Sequence, residues 1–245
     1  MPPFFTIVIP SFQSSLVIAD CLRSIMIQSF TSFEVIVMDG GSTDDTFSII
    51  KSYKDLRIHF HSEPDKGVYD AMNKSIDKTK GEWILFLGSD DKLHDEKVLS
   101  DLAKVLKSTT KSVVYGDALV DGDVSWAKGE KVYGGKFSLY RLLRRNICHQ
   151  AIVYKRSFLQ QYQLKYNLSY PVSADWDLNL RAWLIKPFQY YPRIISTFTA
   201  GGISSGGKDD GFRELIPEMY KRYIHNPYTD PFRRIFYSLY KRVLG

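Results

Sequence analysis

The sequence has very little cysteine and no long apolar run, and both absences exclude classes of protein. Its 245 residues include only Cys21 and Cys148, too few for a disulfide framework, which suits a reducing cytoplasm. No CxxC pair or His/Cys cluster predicts a zinc site. No apolar stretch approaches the roughly 20 residues of a spanning helix. No basic and apolar leader precedes the first strand-like residues, so we expect no signal peptide.

Two common nucleotide-binding signatures are also missing. No GxGxxG motif follows the first apolar run and no GxxxxGK[ST] motif occurs, which argues against a Rossmann dinucleotide enzyme and a P-loop NTPase. What is present is typical of a globular domain, because 44% of the residues are hydrophobic and 24% are charged. The chain is long enough to bury a sizeable core.

Positive charge is concentrated near the C-terminal end. The formal net charge is +6, and residues 212–245 hold seven Lys or Arg against three Asp or Glu, a surplus of four. Apolar residues at helical spacing stand opposite basic ones over Pro231–Leu244, which predicts a helix on an anionic membrane surface. Docking on the protein's own core is the alternative, and we do not expect nucleic acid as a partner. Residues 211–245 therefore form a predicted basic tail, separate from a domain of residues 1–210.

The first 90 residues alternate between apolar strands and amphipathic helices. Strands are predicted at 4–9, 33–38, 57–61 and 83–87, with one helix in each interval. Such alternation is typical of an α/β fold with a parallel sheet and right-handed crossovers. We expect Ser42 and Asp45 to form a capping box that starts the second helix near Thr43.

The second half mixes its elements. Helices are predicted near 96–107, 137–145 and 174–185, and strands at 113–120, 151–154 and 188–199. A turn at Asp121–Asp123 should join strand 113–120 to a short strand ending at Ala127. The predicted fold class is therefore α/β, with a mostly parallel sheet in residues 1–91 and a mixed half in residues 92–210.

Polar loops follow the first four predicted strands, at the edge where open α/β sheets bind ligands. They contain Pro10–Ser11, Asp39–Gly41, the turn Glu63–Gly67 and Asp90–Asp91. Asp39 is an acceptor-only carboxylate that suits a base N–H or a ribose hydroxyl. Shaping of its own turn is the alternative interpretation.

Asp90 and Asp91 are adjacent carboxylates that directly follow a buried strand. Their mutual repulsion would be relieved by a divalent cation. Hard oxygen ligands favour Mg²⁺ or Mn²⁺, which proteins usually share with substrate phosphates. The pair therefore predicts a phosphorylated substrate with a departing diphosphate. A turn or a helix cap is the alternative interpretation.

Two residues of the second half are further candidates. Asp175 begins a predicted helix beside Trp176, and fits either a general base or an acid favoured by the helix dipole. His149 fits either a site residue or a structural histidine. Spacing alone does not separate these interpretations.

Taken in order, the motifs resemble family 2 glycosyltransferases. The matching segments are 5–10, 33–44, 62–73, the strand ending in Asp90–Asp91, 149–154, 173–177 and 201–204. The resemblance covers residues 4–205 and is closest to bacterial enzymes of O-antigen, capsule or exopolysaccharide synthesis. It implies an inverting, metal-dependent hexosyltransferase of the GT-A fold that uses a nucleotide-diphospho-sugar donor.

The resemblance also implies roles for individual residues. The donor nucleotide would be bound by Pro10, Ser11, Asp39, Gly40, Asp65, Gly67, Asp90 and His149. Asp91, with Asp90 beside it, would bind Mn²⁺ or Mg²⁺ and through it the sugar diphosphate. Asp175 would deprotonate the acceptor hydroxyl, and an α-linked donor would give a β-glycoside. The acceptor would be a saccharide on a polyprenyl diphosphate at the inner face of the cytoplasmic membrane.

Two positions depart from the family pattern. Many members carry Asp where this chain has Gly88, and many carry Arg where it has Met72. A UDP-sugar is the default donor, with GDP- and dTDP-sugars open because that Arg can help hold the base. A sugar-phosphate nucleotidyltransferase and a non-catalytic sugar-nucleotide binding module are the alternative functions.

Overall fold

A computed structural model of the chain describes residues 2–124, 126–127 and 129–201, with Phe212, Glu214 and Pro217. Most of the predicted loop that begins at Gly201, and the predicted helix at 231–244, lie outside these residues. Within the described part, no helix combines the length and the apolar character needed to cross a bilayer.

Four strands and three helices alternate in the first half of the chain. They are β1 Phe5–Ser11, α1 Ile18–Met26, β2 Phe33–Asp39, α2 Thr46–Ser52, β3 Ile58–Ser62, α3 Val68–Ile76 and β4 Trp83–Phe86. The four strands pair in parallel in the order β3-β2-β1-β4. Every residue of β1, β2 and β4 is buried, whereas β3 at the edge is partly exposed. The predicted parallel half is confirmed.

The second half extends the same sheet with mixed pairing. Its elements are β5 Lys92–Leu93, α4 Val98–Ser108, β6 Val113–Asp121, β7 Val132–Tyr133, α5 Leu139–Arg144, a 3₁₀ turn His149–Ala151, β8 Ile152–Lys155, α6 Arg156–Gln161, α7 Ala174–Ile185 and β9 Gln189–Thr199. The order continues from β4 as β8-β6-β9-β5. β8 is antiparallel to both β4 and β6, and β9 is parallel to β6. The predicted mixed half is confirmed.

Two apolar cores cover the two faces of the sheet. Side chains alternate along β1, so that Ile7 and Ile9 join a core with α1 and α4, and Val8 joins a core with α3, α5 and α7. Burial on both faces is the reason that the central strands are continuous apolar runs. Met72, where the family pattern often has Arg, is 4% exposed in the second core.

Two local predictions are wrong. Helix α2 begins at Thr46 and not near Thr43, because the Ser42 hydroxyl donates to Asp39 instead of capping the helix. Asp44 supplies the acceptor for the Thr46 N–H, at 3.2 Å. This is local competition between side chain and backbone, which sequence spacing does not reveal.

The second error concerns the partner of β6. The predicted strand ending at Ala127 is a turn, in which the Ala127 N–H donates to the Val124 carbonyl. The antiparallel partner comes later, where Tyr133 in β7 pairs with Ala118. Val124 and Ala127 are buried in the core with α1 and α4, so their apolar character reflects burial outside a strand.

Candidate active site

The loops that follow the parallel strands meet at the carboxyl edge of the sheet, as predicted. Ser11, which ends β1, pairs with Asp39, which ends β2. The loop after β1 also contacts the loop after β4, because the hydroxyls of Ser14 and Ser89 lie 2.9 Å apart. The structure therefore brings the candidate residues of the first half to one edge.

Asp39 is held by its own loop and by β3. Its carboxylate accepts the N–H groups of Gly41 and Ser42 and the hydroxyls of Ser42 and Ser62. Three of these donors bind Oδ2 and the Ser42 hydroxyl binds Oδ1, which keeps one lone-pair site, and Asp39 is 2% exposed. These contacts favour the interpretation in which Asp39 shapes the turn, and its contact with a nucleoside stays a prediction.

Asp65 lies over the loop after β2. A Cβ at Gly40 would come within 2.7 Å of Asp65 Oδ2, so the absence of a side chain at Gly40 makes room for this carboxylate. Asp65 Oδ1 accepts the N–H of Gly67 at 2.8 Å, and Gly67 has a φ of 109°, which glycine adopts readily. The three residues therefore form one small unit at the sheet edge.

Ser11 has a buried hydroxyl without a protein partner. The residue is 5% exposed, and its Oγ makes no hydrogen bond within the described residues. An unsatisfied buried hydroxyl costs about 1–3 kcal/mol, which a polar ligand group would recover. Pro10, the preceding residue, is buried in β1 opposite Met38. Of the two, Ser11 has the chemistry to contact a ligand.

Asp90 and Asp91 converge beside Gly88. A Cβ at Gly88 would lie 2.5 Å from Asp91 Oδ2 and 2.7 Å from Asp90 Oδ1, so the two oxygens flank one point. Burial and the neighbouring Asp90 raise the pKa of Asp91 to about 7, and burial raises the pKa of Asp90. A cation between the two carboxylates would remove this electrostatic penalty.

The donor set at this point fits Mg²⁺ or Mn²⁺. Both side chains offer hard oxygens, and the described residues contain no cluster of three or more His, Cys, Asp or Glu. The protein would thus supply two carboxylates, and water and a diphosphate would complete the shell. Asp91 is oriented for this by the Gln150 amide at 2.7 Å and the Thr199 N–H at 3.0 Å.

Asp175 lies in the first turn of α7 and is partly buried. Its Oδ1 accepts the Tyr69 hydroxyl at 3.1 Å and the Trp176 N–H at 2.8 Å, and its Oδ2 accepts the Asn146 amide at 2.8 Å. Burial outweighs these hydrogen bonds and raises the pKa of Asp175 to about 6. A carboxylate with this pKa takes up and releases protons near neutral pH, as a general base must.

One short segment connects the two acidic centres. Asn146 binds Asp175 and Gln150 binds Asp91, and four residues of chain span at most about 14 Å. The segment lies beside the carboxyl end of β4, because β8 follows it and runs antiparallel to β4. The structure therefore places the candidate base and the acidic pair at the same edge of the sheet, near the carboxyl end of β4.

His149 lies within this segment but faces the core. Its ring stacks on Phe86, and its Nε2 lies 3.1 Å from the Tyr166 hydroxyl. The side chain is 8% exposed, and burial lowers the pKa of His149 to about 3, so the ring is neutral. These contacts favour the structural interpretation, and donor binding by His149 stays a prediction.

Sequence analysis missed three residues of the site, namely Tyr69, Asn146 and Gln150. Asn146 and Gln150 flank His149 in sequence, but His149 is the residue of this segment that sequence analysis predicts for the site. Tyr69 on α3 packs against the second core, and its partner Asp175 is 106 residues away. For Asn146 and Gln150 the available sequence signal was a polar side chain at each end of segment 146–150.

Comparison with known proteins identifies relatives over most of the chain. The family described as glycosyl transferase family 2 matches residues 6–162. A PGL/p-HBAD biosynthesis glycosyltransferase of Mycobacterium tuberculosis is 38% identical over 224 residues, which are 88% of this chain and 84% of the relative. The poly(ribitol-phosphate) beta-N-acetylglucosaminyltransferase TarP of Staphylococcus aureus is 24% identical over 91% of this chain and 72% of its own length.

Solved structures share the fold. The S. aureus TarS fragment 1–349 in complex with UDP-GlcNAc matches with a TM-score of 0.74 at 19% identity, over 92% of this chain and 68% of that one. The mannosyltransferase PcManGT from Pyrobaculum calidifontis, in complex with GDP-Man and Mn²⁺, matches with a TM-score of 0.64 at 16% identity, over 96% and 74%. The predicted fold class is confirmed.

The buried Asp175 carboxylate should reduce stability at neutral pH. Because its pKa is raised on folding, the folded state holds the proton more tightly than the unfolded state. The stability that this protonation contributes is complete below the ordinary pKa of 3.8 and is lost as the pH rises through about 6. We expect Asp175→Asn to raise the free energy of unfolding at pH 7.5 by on the order of 3 kcal/mol, and by about half of that at pH 5, measured by urea denaturation.

Asp177→Asn is the matched control on the same helix. Asp177 is 4% exposed but pairs with Arg181, whose Nη2 lies 2.7 Å from Oδ2. Loss of that pair should lower stability at both pH values. If Asp175→Asn also lowers stability at pH 7.5, the buried carboxylate is not under strain.

Proposed function

The chain belongs to glycosyl transferase family 2, and we propose on that premise that it transfers a sugar from a nucleotide-diphospho-sugar to an acceptor hydroxyl with inversion. The observation that carries the mechanism is the Asn146–Gln150 segment. It binds Asp175 at one end and Asp91 at the other. A group that activates the acceptor and a group that holds the departing diphosphate are therefore fixed to the same short piece of chain.

The donor side is supported by the loops at the sheet edge. The unsatisfied Ser11 hydroxyl and the Asp65–Gly40–Gly67 unit suit the hydroxyl and N–H groups of a nucleoside. Asp90 and Asp91 would hold Mn²⁺ or Mg²⁺, which when bound supplies positive charge for the diphosphate oxygens. Gln150 and Thr199 keep the Asp91 carboxylate turned toward that position.

The proposed chemistry is a single displacement. Asp175 accepts the proton of the acceptor hydroxyl, and the resulting oxygen nucleophile forms a bond to the anomeric carbon. The bond from that carbon to the diphosphate oxygen breaks, and its electron pair leaves with the nucleoside diphosphate. Attack opposite the leaving group inverts the centre, so an α-linked donor gives a β-glycoside. The elevated pKa of Asp175 matches the role of a base near neutral pH.

The acceptor class is proposed from the relatives. The M. tuberculosis relative is named for PGL/p-HBAD biosynthesis, and TarP is named for a poly(ribitol-phosphate) acceptor. We propose an acceptor hydroxyl on a glycolipid or on a surface-polysaccharide intermediate carried by a lipid. The basic tail, which lies outside the described residues, would then bring the enzyme to an anionic membrane.

Family membership argues against one of the two alternatives that the sequence left open. A sugar-phosphate nucleotidyltransferase would belong to another family. A non-catalytic binding module would be stabilised by a nucleotide-sugar but would not transfer its sugar. A transfer assay therefore distinguishes the module from the enzyme. The attachment of Asp175 and Asp91 to the two ends of one short segment favours the enzyme.

Donor binding should depend on the acidic pair. We expect one base class among UDP-, GDP- and dTDP-sugars to raise the melting temperature, and only with Mn²⁺ or Mg²⁺, in thermal-shift measurements. Asp91→Ala should abolish this stabilisation, and Asp90→Ala should weaken it. Asp95→Ala, on the same chain but paired with Arg193, should leave it unchanged. The donor assignment is wrong if no nucleotide-sugar stabilises the wild-type protein.

Transfer should depend on Asp175 while donor binding does not. We expect Asp175→Asn to keep metal-dependent stabilisation by the donor and to lose transfer activity by roughly 10²–10⁴-fold, the contribution typical of a general base. For the wild-type enzyme, kcat/KM should rise with pH through about 6, since the base must be ionised. Transfer by Asp175→Asn near the wild-type rate would remove Asp175 from the mechanism.

The tail should account for membrane association. We expect the full chain to sediment with vesicles that contain anionic lipid, and less so at high salt, because the tail carries a surplus of four positive charges. A chain truncated after Asn226 should stay folded and remain in the supernatant. Equal sedimentation of both chains would show that residues 227–245 are not the anchor.

A further inference from the structure

We propose that Asn146 is a positioning residue that directs the Asp175 carboxylate toward the acceptor hydroxyl, and that Asn179 fixes the Asn146 amide for this purpose. The inference rests on the proposed role of Asp175 as the base. Neither asparagine needs to touch the substrate, so both would act through Asp175.

The two oxygens of Asp175 have different surroundings. Oδ1 faces two donors, the Trp176 N–H at 2.8 Å and the Tyr69 hydroxyl at 3.1 Å, whose one proton is shared with the Val172 carbonyl at 2.8 Å. Among the described residues, Oδ2 accepts one hydrogen bond from another residue, the Asn146 amide at 2.8 Å. A carboxylate oxygen has two lone-pair sites. Oδ2 therefore keeps a site for the proton of the acceptor, and Asn146 determines where that site points.

The Asn146 amide is locked in one orientation. Its Oδ1 accepts the Asn179 amide at 2.9 Å and the Ile147 N–H at 2.9 Å. Rotation of the amide by 180° would place its NH₂ group against these two N–H donors and its oxygen against the Asp175 carboxylate. Both contacts would be repulsive, so Nδ2 stays directed at Asp175.

A second buried residue supports this orientation from behind. Asn179 lies four residues after Asp175 in α7, on the same face of the helix, and is fully buried. Its Oδ1 accepts the Tyr154 hydroxyl at 2.6 Å, and Tyr154 is also fully buried. Hydrogen-bond donation thus runs in one direction, from Tyr154 through Asn179 and Asn146 to Asp175.

The residue types in this series of hydrogen bonds indicate a role beyond packing. Asparagine is a poor helix former, and burying its amide is unfavourable unless every group is bonded. Leucine or methionine at position 179 would fill a core position more simply. The Asn179 amide instead accepts a hydrogen bond from Tyr154 and donates one to Asn146, which contacts Asp175.

Few other groups near Asp175 change charge between pH 5 and 9. Tyr69 from α3, Tyr154 from β8 and Tyr166 from the loop before α7 are phenols, and burial raises the pKa of the last two well above the usual value. Burial also raises the pKa of the Cys148 thiol. Asp177 and Arg181 on α7 pair with each other.

One other acid near this segment titrates in that range. Asp91, at its far end, has a pKa of about 7. Saturating Mn²⁺ in the assay keeps it ionised. The acidic limb of the rate profile then reports Asp175.

The test compares Asn146→Ala with the wild-type enzyme. Loss of a hydrogen bond to the ionised form raises the pKa of a carboxylate, so the acidic limb of the kcat–pH profile should move to higher pH. The value of kcat should fall about tenfold to a hundredfold, as for a lost bond to a charged group. The KM for the donor and the donor-dependent thermal shift should not change.

Asn73→Ala is the matched control. Asn73 also bridges two parts of the chain near the site, since its amide donates to the Tyr166 carbonyl and its oxygen accepts the Tyr166 N–H. No described hydrogen bond joins it to Asp175. This variant should lose stability and leave the acidic limb in place, as any merely structural change would.

Asn179→Leu provides a second variant with the Asn146 side chain intact. It should shift the acidic limb in the same direction by a smaller amount, and it decides the matter if Asn146→Ala fails to fold. An unchanged acidic limb and kcat in a folded variant would overturn the inference. If instead Asp175→Asn transfers at the wild-type rate, the proposed function itself fails.

Discussion

Burial of negative charge is the constraint on which this structure depends. A carboxylate removed from water is unfavourable unless donors surround it. In the candidate site Asp91 is 1% exposed and Asp175 is partly buried, and burial raises the pKa of both. Their donors come from distant parts of the chain, including Gln150 and Thr199 for Asp91 and Tyr69 and Asn146 for Asp175. All of these donors except Tyr69 come from the second half of the chain. The raised pKa values of Asp91 and Asp175 show that the donors compensate for burial only in part.

The change from parallel to antiparallel pairing is what unites the two halves of the site. If β8 were parallel to β4, the residues before β8 would lie at the amino edge of the sheet. Because β8 is antiparallel, the Asn146–Gln150 segment lies at the carboxyl edge beside β4. The loops that we propose for the nucleotide and the residues that we propose for the acceptor thus meet at one edge of the sheet.

Much of the fold was predictable from sequence because its signals are local. The central strands are apolar at every position and their helices carry regular stripes, so β1, β2 and β4 were found together with α1 and α3. The start of α2 was not, since the Ser42 hydroxyl prefers Asp39. Asp90 and Asp91 were recognisable as adjacent carboxylates after a buried strand, and Asp175 as a carboxylate at the start of a helix. Tyr69 and Asn146 were not recognisable, because their role depends on contact with Asp175, which is 106 and 29 residues away in sequence.

The hydrogen bond from Thr199 to Asp91 joins residues 108 apart in sequence, and this separation has a consequence for synthesis. Domains generally fold as units during synthesis. The parallel half is complete once β4 has emerged, yet the acidic pair stays unfinished until β9 is made and placed next to β5 and β6. A nascent chain therefore lacks one of the two donors that orient Asp91 until Thr199 has been made, so the proposed cation site depends on the end of β9.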